Sequence, residues 1–123
     1  MKFALDDIDR RYAITGYGPG SIRVGQTEHT CSLVVTAGHL IADWPPQTLA
    51  DLRPDHFEPI LALEPELLIL GTGPRHALLE PRLYRTLLER QVGVEVMDTG
   101  AACRTYNVLL AEERAVVAAL LIP

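Results

Sequence analysis

The side chains of this chain best suited to chemistry gather in its second half. Gly71 and Gly73 flank Thr72 directly after an apolar run, and Arg75 follows. Asp98, Thr99, Cys103, Arg104 and Asn107 then fall in one short stretch. Glycine lets backbone approach a ligand closely, and arginine presents a planar fork of donors that matches carboxylates and phosphates. If a helix opens near residue 100, its free amides add partial positive charge there. The chemistry this predicts is recognition of a small anion in a crevice made by Gly71, Gly73, Arg75, Asp98, Thr99, Cys103, Arg104 and Asn107. The same residue types also have a plainer use. Glycines make tight turns, Asp98 caps a helix, and arginines pair with local acids. Both readings stand at this level.

Other chemistries fit less well. Gly71-Thr72-Gly73 and a later Asp98 resemble a dinucleotide site, but the third glycine of GxGxxG falls on His76. The next helix opens near Pro81, too late to offer its amides to a pyrophosphate. No phosphate loop of the GxxxxGK type occurs. Cys103, near a helix start, would hold a depressed pKa as a nucleophile with His76 or another histidine as base. It also lies at the margin of an apolar face, where cysteine is a small buried hydrophobe. His29, His39, His56 and His76 show no HxH or HxxxH spacing, and Cys31 and Cys103 no CxxC. No metal and no cofactor are therefore expected.

Those residues need elements to position them. Tyr12 to Tyr17, the turn Gly18-Pro19-Gly20, Ser21 to Val24, Gly25-Gln26 and then His29 to Thr36 predict an antiparallel meander. Trp44-Pro45-Pro46 ends it, because proline cannot donate to a ladder. Thr48 to Leu52 predicts one helical turn and Asp55 to Leu63 a short helix around Pro59. Leu67-Leu68-Ile69-Leu70 reads as a strand covered on both faces. A helix opening at Pro81 would bury Leu83, Tyr84, Leu87 and Leu88 and stop at Gly93, before a strand at Val94 to Met97. A second helix, capped by Asp98 or Thr99, would bury Ala102, Tyr106, Leu109 and Leu110. Glu112-Glu113-Arg114 turns the chain into a final strand, Ala115 to Ile122. The fold class is α/β: antiparallel N-terminal hairpins joined to a parallel βαβαβ core in one mixed sheet.

Bulk composition bounds the rest. The chain has 123 residues, 48% hydrophobic and 22% charged, with 11 basic and 16 acidic side chains. One domain over residues 1–123 is expected, since a chain of this size buries about two-thirds of its unfolded surface without disulfides or metal. A net charge of −5 argues against nucleic-acid binding. The whole deficit lies in residues 1–66, which hold five basic and ten acidic side chains, so residues 67–123 are neutral. Lys2 is the one lysine against ten arginines. Asp6, Asp7 and Asp9 speak against a signal peptide or presequence. The longest stretch free of charged residues, His29 to Ala42, falls short of the about 20 apolar residues of a membrane helix, so no membrane span is expected.

The stretches Leu68-Ile69-Leu70-Gly71-Thr72-Gly73, Val94-Glu95-Val96-Met97-Asp98-Thr99 and Ala102-Cys103-Arg104-Thr105-Tyr106-Asn107-Val108-Leu109 carry a family resemblance. The chain resembles a family of small, functionally uncharacterised bacterial and archaeal proteins that includes the mitochondrial respiratory complex I assembly factor 3. The resemblance covers roughly residues 65–122 and extends to the hairpins of residues 12–44. It implies a three-layer sandwich with a mixed sheet and a β-hairpin insertion, and no catalytic residues. It also implies a non-enzymatic interaction or assembly role, with other proteins, including respiratory-complex subunits, as partners. A bacterial, cytoplasmic location is the expectation, since Met1 to Tyr12 does not read as a presequence. On this reading Trp44 and the prolines after it join an interaction surface or form a lid over the sheet edge. The alternative is a binder or enzyme for a small anionic ligand at residues 71–76 and 98–107.

Overall fold

Pro19 and Gly20 turn the first corner. Proline holds φ at about −65°, and Gly20 takes φ +87°, the angles of a type II turn. Strand β1 (Ile14–Gly18) therefore folds back on β2 (Ser21–Val24). Gly25, at φ +59°, turns the chain again into β3 (Thr27–His29). The computed structural model describes residues 12–123, so the acidic stretch with Asp6, Asp7 and Asp9 lies outside the described residues.

The meander expected to run on through Thr36 breaks after His29. β4 (Leu33–Thr36) and β5 (His39–Ile41) pair in a second sheet, so the N-terminal strands are shared between two sheets. At the crossing, the Ser32 amide donates to the Gln47 side-chain carbonyl at 3.2 Å, and the Ser32 carbonyl accepts from the Trp44 amide at 3.0 Å. These bonds satisfy backbone groups that an unbroken ladder would otherwise have used.

The second sheet also contains β6 (Leu67–Gly71), β7 (Gly93–Met97) and β8 (Val116–Leu120), in the order β5-β4-β8-β6-β7. β6 is parallel to β7 and β8, and β4 is antiparallel to β8. The α/β class, with antiparallel hairpins ahead of a parallel core, is borne out. Side chains alternate along each strand. Val116, Ala118 and Leu120 of β8 join Leu33, Val35 and Ile69 in one core, while Val117 and Ala119 join Val34, Leu68 and Leu70 in another.

Short helical pieces cover the second core: 3-10 turns at Leu49–Asp51, Pro54–Phe57 and Pro81–Tyr84, with α1 (Glu58–Leu61) and α2 (Arg85–Glu89). The first core is covered by β1–β3 and by α3 (Thr99–Ala111), which makes three layers. Two expectations need correction here. The helix expected from Pro81 spends its first turn as 3-10, whose tighter winding rotates the register. Leu87 is fully buried, whereas Leu88 points outward and is 47% exposed. The turn after it is made by Gln91, at φ +62°, and Gly93 begins the next strand. Trp44 is neither a surface residue nor a partly open lid. It is fully buried, its Nε1 donates to the His56 carbonyl at 3.0 Å, and its ring packs edge-on against Phe57. Among the described residues, no helix is long and apolar enough to cross a membrane.

Candidate functional site

The carboxyl ends of β6 and β8 meet the start of α3 in a hydrogen-bonded seam. Asp98 caps the helix, its Oδ1 accepting from the Ala101 amide at 2.9 Å. Thr99, fully buried, accepts from the Gly73 amide at 2.8 Å and donates to the Leu121 carbonyl at 2.7 Å through one hydroxyl. The Thr99 amide donates to the Gly73 carbonyl, and the Leu121 amide to the Gly71 carbonyl. A Cβ on Gly71 would stand 2.8 Å from Thr99 Oγ1 and 3.0 Å from Thr99 Cα, so only glycine admits the helix this close. Gly73 takes φ +103°. For Gly71, Gly73 and Thr99 the plainer turn-and-seam role therefore accounts for the residue type.

Beside the seam lies a cleft of about 410 Å³, within the size range of ligand pockets. It is formed by the hairpin tip Tyr17 to Pro19, by Gly73 and Pro74, by Asp98, Gly100 and Arg104, and by Pro123. The tip is anchored there because the Gly20 amide donates to the Pro123 carbonyl at 3.0 Å. Arg104 donates from Nη1 to the Tyr17 hydroxyl. Among the described residues, arginines 53, 82 and 114 pair with local acids, as the plainer reading expects, but Arg104 makes no ion pair. Gly100 lets these two side chains meet: a Cβ there would lie 3.0 Å from the Tyr17 ring and 3.6 Å from Arg104 Nη1.

The structure brings Gly73, Asp98 and Arg104 together on this cleft and leaves other expected members out. Arg75 and His76 are exposed on the loop outside it, where the Arg75 carbonyl accepts from the Thr72 hydroxyl at 2.5 Å. Asn107 is spent on structure. Its Oδ1 accepts from the Ile14 amide at 2.9 Å and its Nδ2 donates to the Ile14 carbonyl at 2.7 Å, pinning β1 to α3. Asn107→Ala is expected to lower stability by about 1–3 kcal/mol through those orphaned backbone groups, measured by urea denaturation. Tyr17, Gly100 and the three prolines were missed by sequence reasoning. Tyr17 and Arg104 are 87 residues apart, and no local pattern encodes such a meeting.

Cys103 is fully buried, and burial pushes its thiol up to about 12 against the opposing pull of Arg104. A neutral thiol of this kind is no nucleophile at neutral pH. Ellman's reagent is expected to modify exposed Cys31 in the native protein and Cys103 only after unfolding. The folded pKa lies above the ordinary value of 9.0. The thiol's contribution to stability is therefore whole below about pH 9 and is lost as pH rises towards 12. Burial shifts the Tyr106 hydroxyl in the same direction. Denaturation midpoints should fall across that alkaline window, and less steeply in Cys103→Ala.

Residues 14–121 match the family described as protein of unknown function (DUF498/DUF598). The chain belongs to this family. The DUF498/DUF598 match bears out the resemblance drawn from the β6, β7 and α3 stretches. A Bos taurus relative named NADH dehydrogenase (ubiquinone) 1 alpha subcomplex assembly factor 3 is 36% identical over 85 residues, 68% of this chain and 46% of the relative. The chain thus spans about half the length of the assembly factors it matches. A protein of Rhodobacter capsulatus is 39% identical over 108 residues, covering 88% of this chain and 82% of the relative. Among solved structures, a Bordetella parapertussis protein superposes with a TM-score of 0.85 at 44% identity, covering 90% of this chain and 95% of that one.

Proposed function

We propose that this DUF498/DUF598 protein is a non-enzymatic interaction factor that serves the assembly of a respiratory complex of the NADH:ubiquinone oxidoreductase type. The similarity to the assembly factors carries this reading. The site chemistry agrees with it. Thr99 and Asn107 are consumed by backbone hydrogen bonds, and the Cys103 thiol is buried and neutral. On this reading the chain works in a bacterial cytoplasm and docks onto its partners without spanning the bilayer.

Affinity purification of the tagged chain from its native cells tests it. Subunits or intermediates of that complex should co-purify, and deletion of the chain should lower the mature complex on native gels. Recovery of no respiratory protein, together with an undisturbed complex in the deletion strain, would overturn the proposal.

A second reading is favoured by Arg104, which borders the cleft without a carboxylate partner among the described residues. Here the cleft binds a small phosphate or carboxylate. A thermal-shift screen of phosphates, nucleotides and carboxylates decides it: a true ligand raises the midpoint of the wild type and leaves that of Arg104→Ala unmoved.

A further inference from the structure

We infer that the cleft between the β1–β2 hairpin tip and the start of α3 is the docking surface for partner proteins, and that it takes an acidic, extended partner segment. The inference rests on the interaction-factor reading above and names the surface and the chemistry of its occupant.

The walls argue for a protein segment. Tyr17, 41% exposed, and the rings of Pro19, Pro74 and Pro123 supply apolar area around the Arg104 guanidinium. Small-molecule pockets converge several polar groups on one ligand. This cleft offers Arg104 and Asp98, and one Asp98 oxygen already holds the Ala101 amide. Tyrosine and arginine side by side are instead the residues that dominate protein interfaces. Proline has no amide to donate, so three wall positions cannot extend a β-ladder. Recognition therefore runs through side chains.

Charge selects the occupant. Asp98 faces the positive end of α3, whose first-turn amides counter its charge. Among the described residues, Arg104 meets Tyr17, through its hydroxyl and its ring, and no carboxylate; this orients the guanidinium without neutralising it. The unmatched charge of the cleft is thus positive, and its complement is a carboxylate. Little ordering is needed on binding. The hairpin tip is held by the Gly20–Pro123 bond, and the floor by the Gly73–Thr99–Leu121 seam. A surface fixed in advance loses less freedom when it binds.

The test places a photo-crosslinking amino acid at Pro19, at Pro74 or at the exposed control position Glu89, in the full chain in native cells. Crosslinks from positions 19 and 74, and not from 89, should map to partner segments containing Asp or Glu. A labelled synthetic peptide of the crosslinked segment should then bind the purified chain. Arg104→Gln, or exchange of the peptide's acid for its amide, should weaken that binding about tenfold or more. Arg104→Lys should restore part of it. Crosslinks from Glu89 in place of 19 and 74 would overturn this surface while leaving the interaction-factor reading intact. No crosslinks anywhere, with the complex undisturbed on deletion, would overturn both. Binding of free acetate or inorganic phosphate as tight as that of the peptide would make the cleft a small-anion site and overturn the inference.

Discussion

Thr99→Val should lower the unfolding free energy by about 2–5 kcal/mol, since two buried backbone groups lose their only side-chain partner. Valine matches threonine in shape, so packing around the seam stays nearly constant and the hydroxyl is isolated as the cause. That hydroxyl bonds the Gly73 amide at 2.8 Å and the Leu121 carbonyl at 2.7 Å at once. Neither group can turn to water, because Gly73 and Leu121 are themselves buried. Urea denaturation followed by circular dichroism measures the loss. Thr99→Ser, which keeps both bonds and gives up one methyl, should retain most of the stability. An equal loss in the serine variant would assign the effect to packing and refute the hydrogen-bond account.

Trp44→Ala is expected to cost about 3–5 kcal/mol, the range for emptying a large aromatic from a packed interior. Trp44 is fully buried in the second core with Phe57, Leu52 and Ile60, and its Nε1 holds the His56 carbonyl at 3.0 Å. The cavity would open under the 3-10 turn Pro54–Phe57, on the sheet face opposite α3. Trp44→Phe should cost less, keeping a ring while releasing the His56 carbonyl. Guanidinium denaturation read by far-ultraviolet circular dichroism distinguishes the two variants. A change under about 0.5 kcal/mol in Trp44→Ala, the scale of ordinary surface substitutions, would mean that Trp44 does not support this core.

Much of the fold is written locally. Leu67 to Leu70 and the stretch through Leu120 declare two-faced strands because unbroken apolar runs of that length suit a sheet covered on both sides. Asp98 as a cap is legible for the same reason, since its partner Ala101 is three residues away. Where the partner is distant, reading fails. Val34, Val35 and Thr36 announce a strand, but nothing in their types says that β4 lies beside β8 rather than continuing the first hairpins. Asn107 looks like a ligand donor from its neighbours on the helix, yet its bonds run to Ile14, 93 residues earlier. The cleft is assembled from four separated segments, so Gly73, Asp98 and Arg104 could be suspected singly, while Tyr17, Gly100 and the prolines could not.

The place of β8 in the sheet carries a consequence for how its halves come together. β4 and β5 form one ladder and β6 and β7 another, and the two touch only through β8, the latest of the five to be made. Without residues 116–120, β4 and β6 would each keep an unpaired apolar edge, and the two cores would lose the wall they share. Both pairings of β8, with β4 and with β6, join residues far apart in sequence, so joining the two halves is the non-local step in forming this sheet.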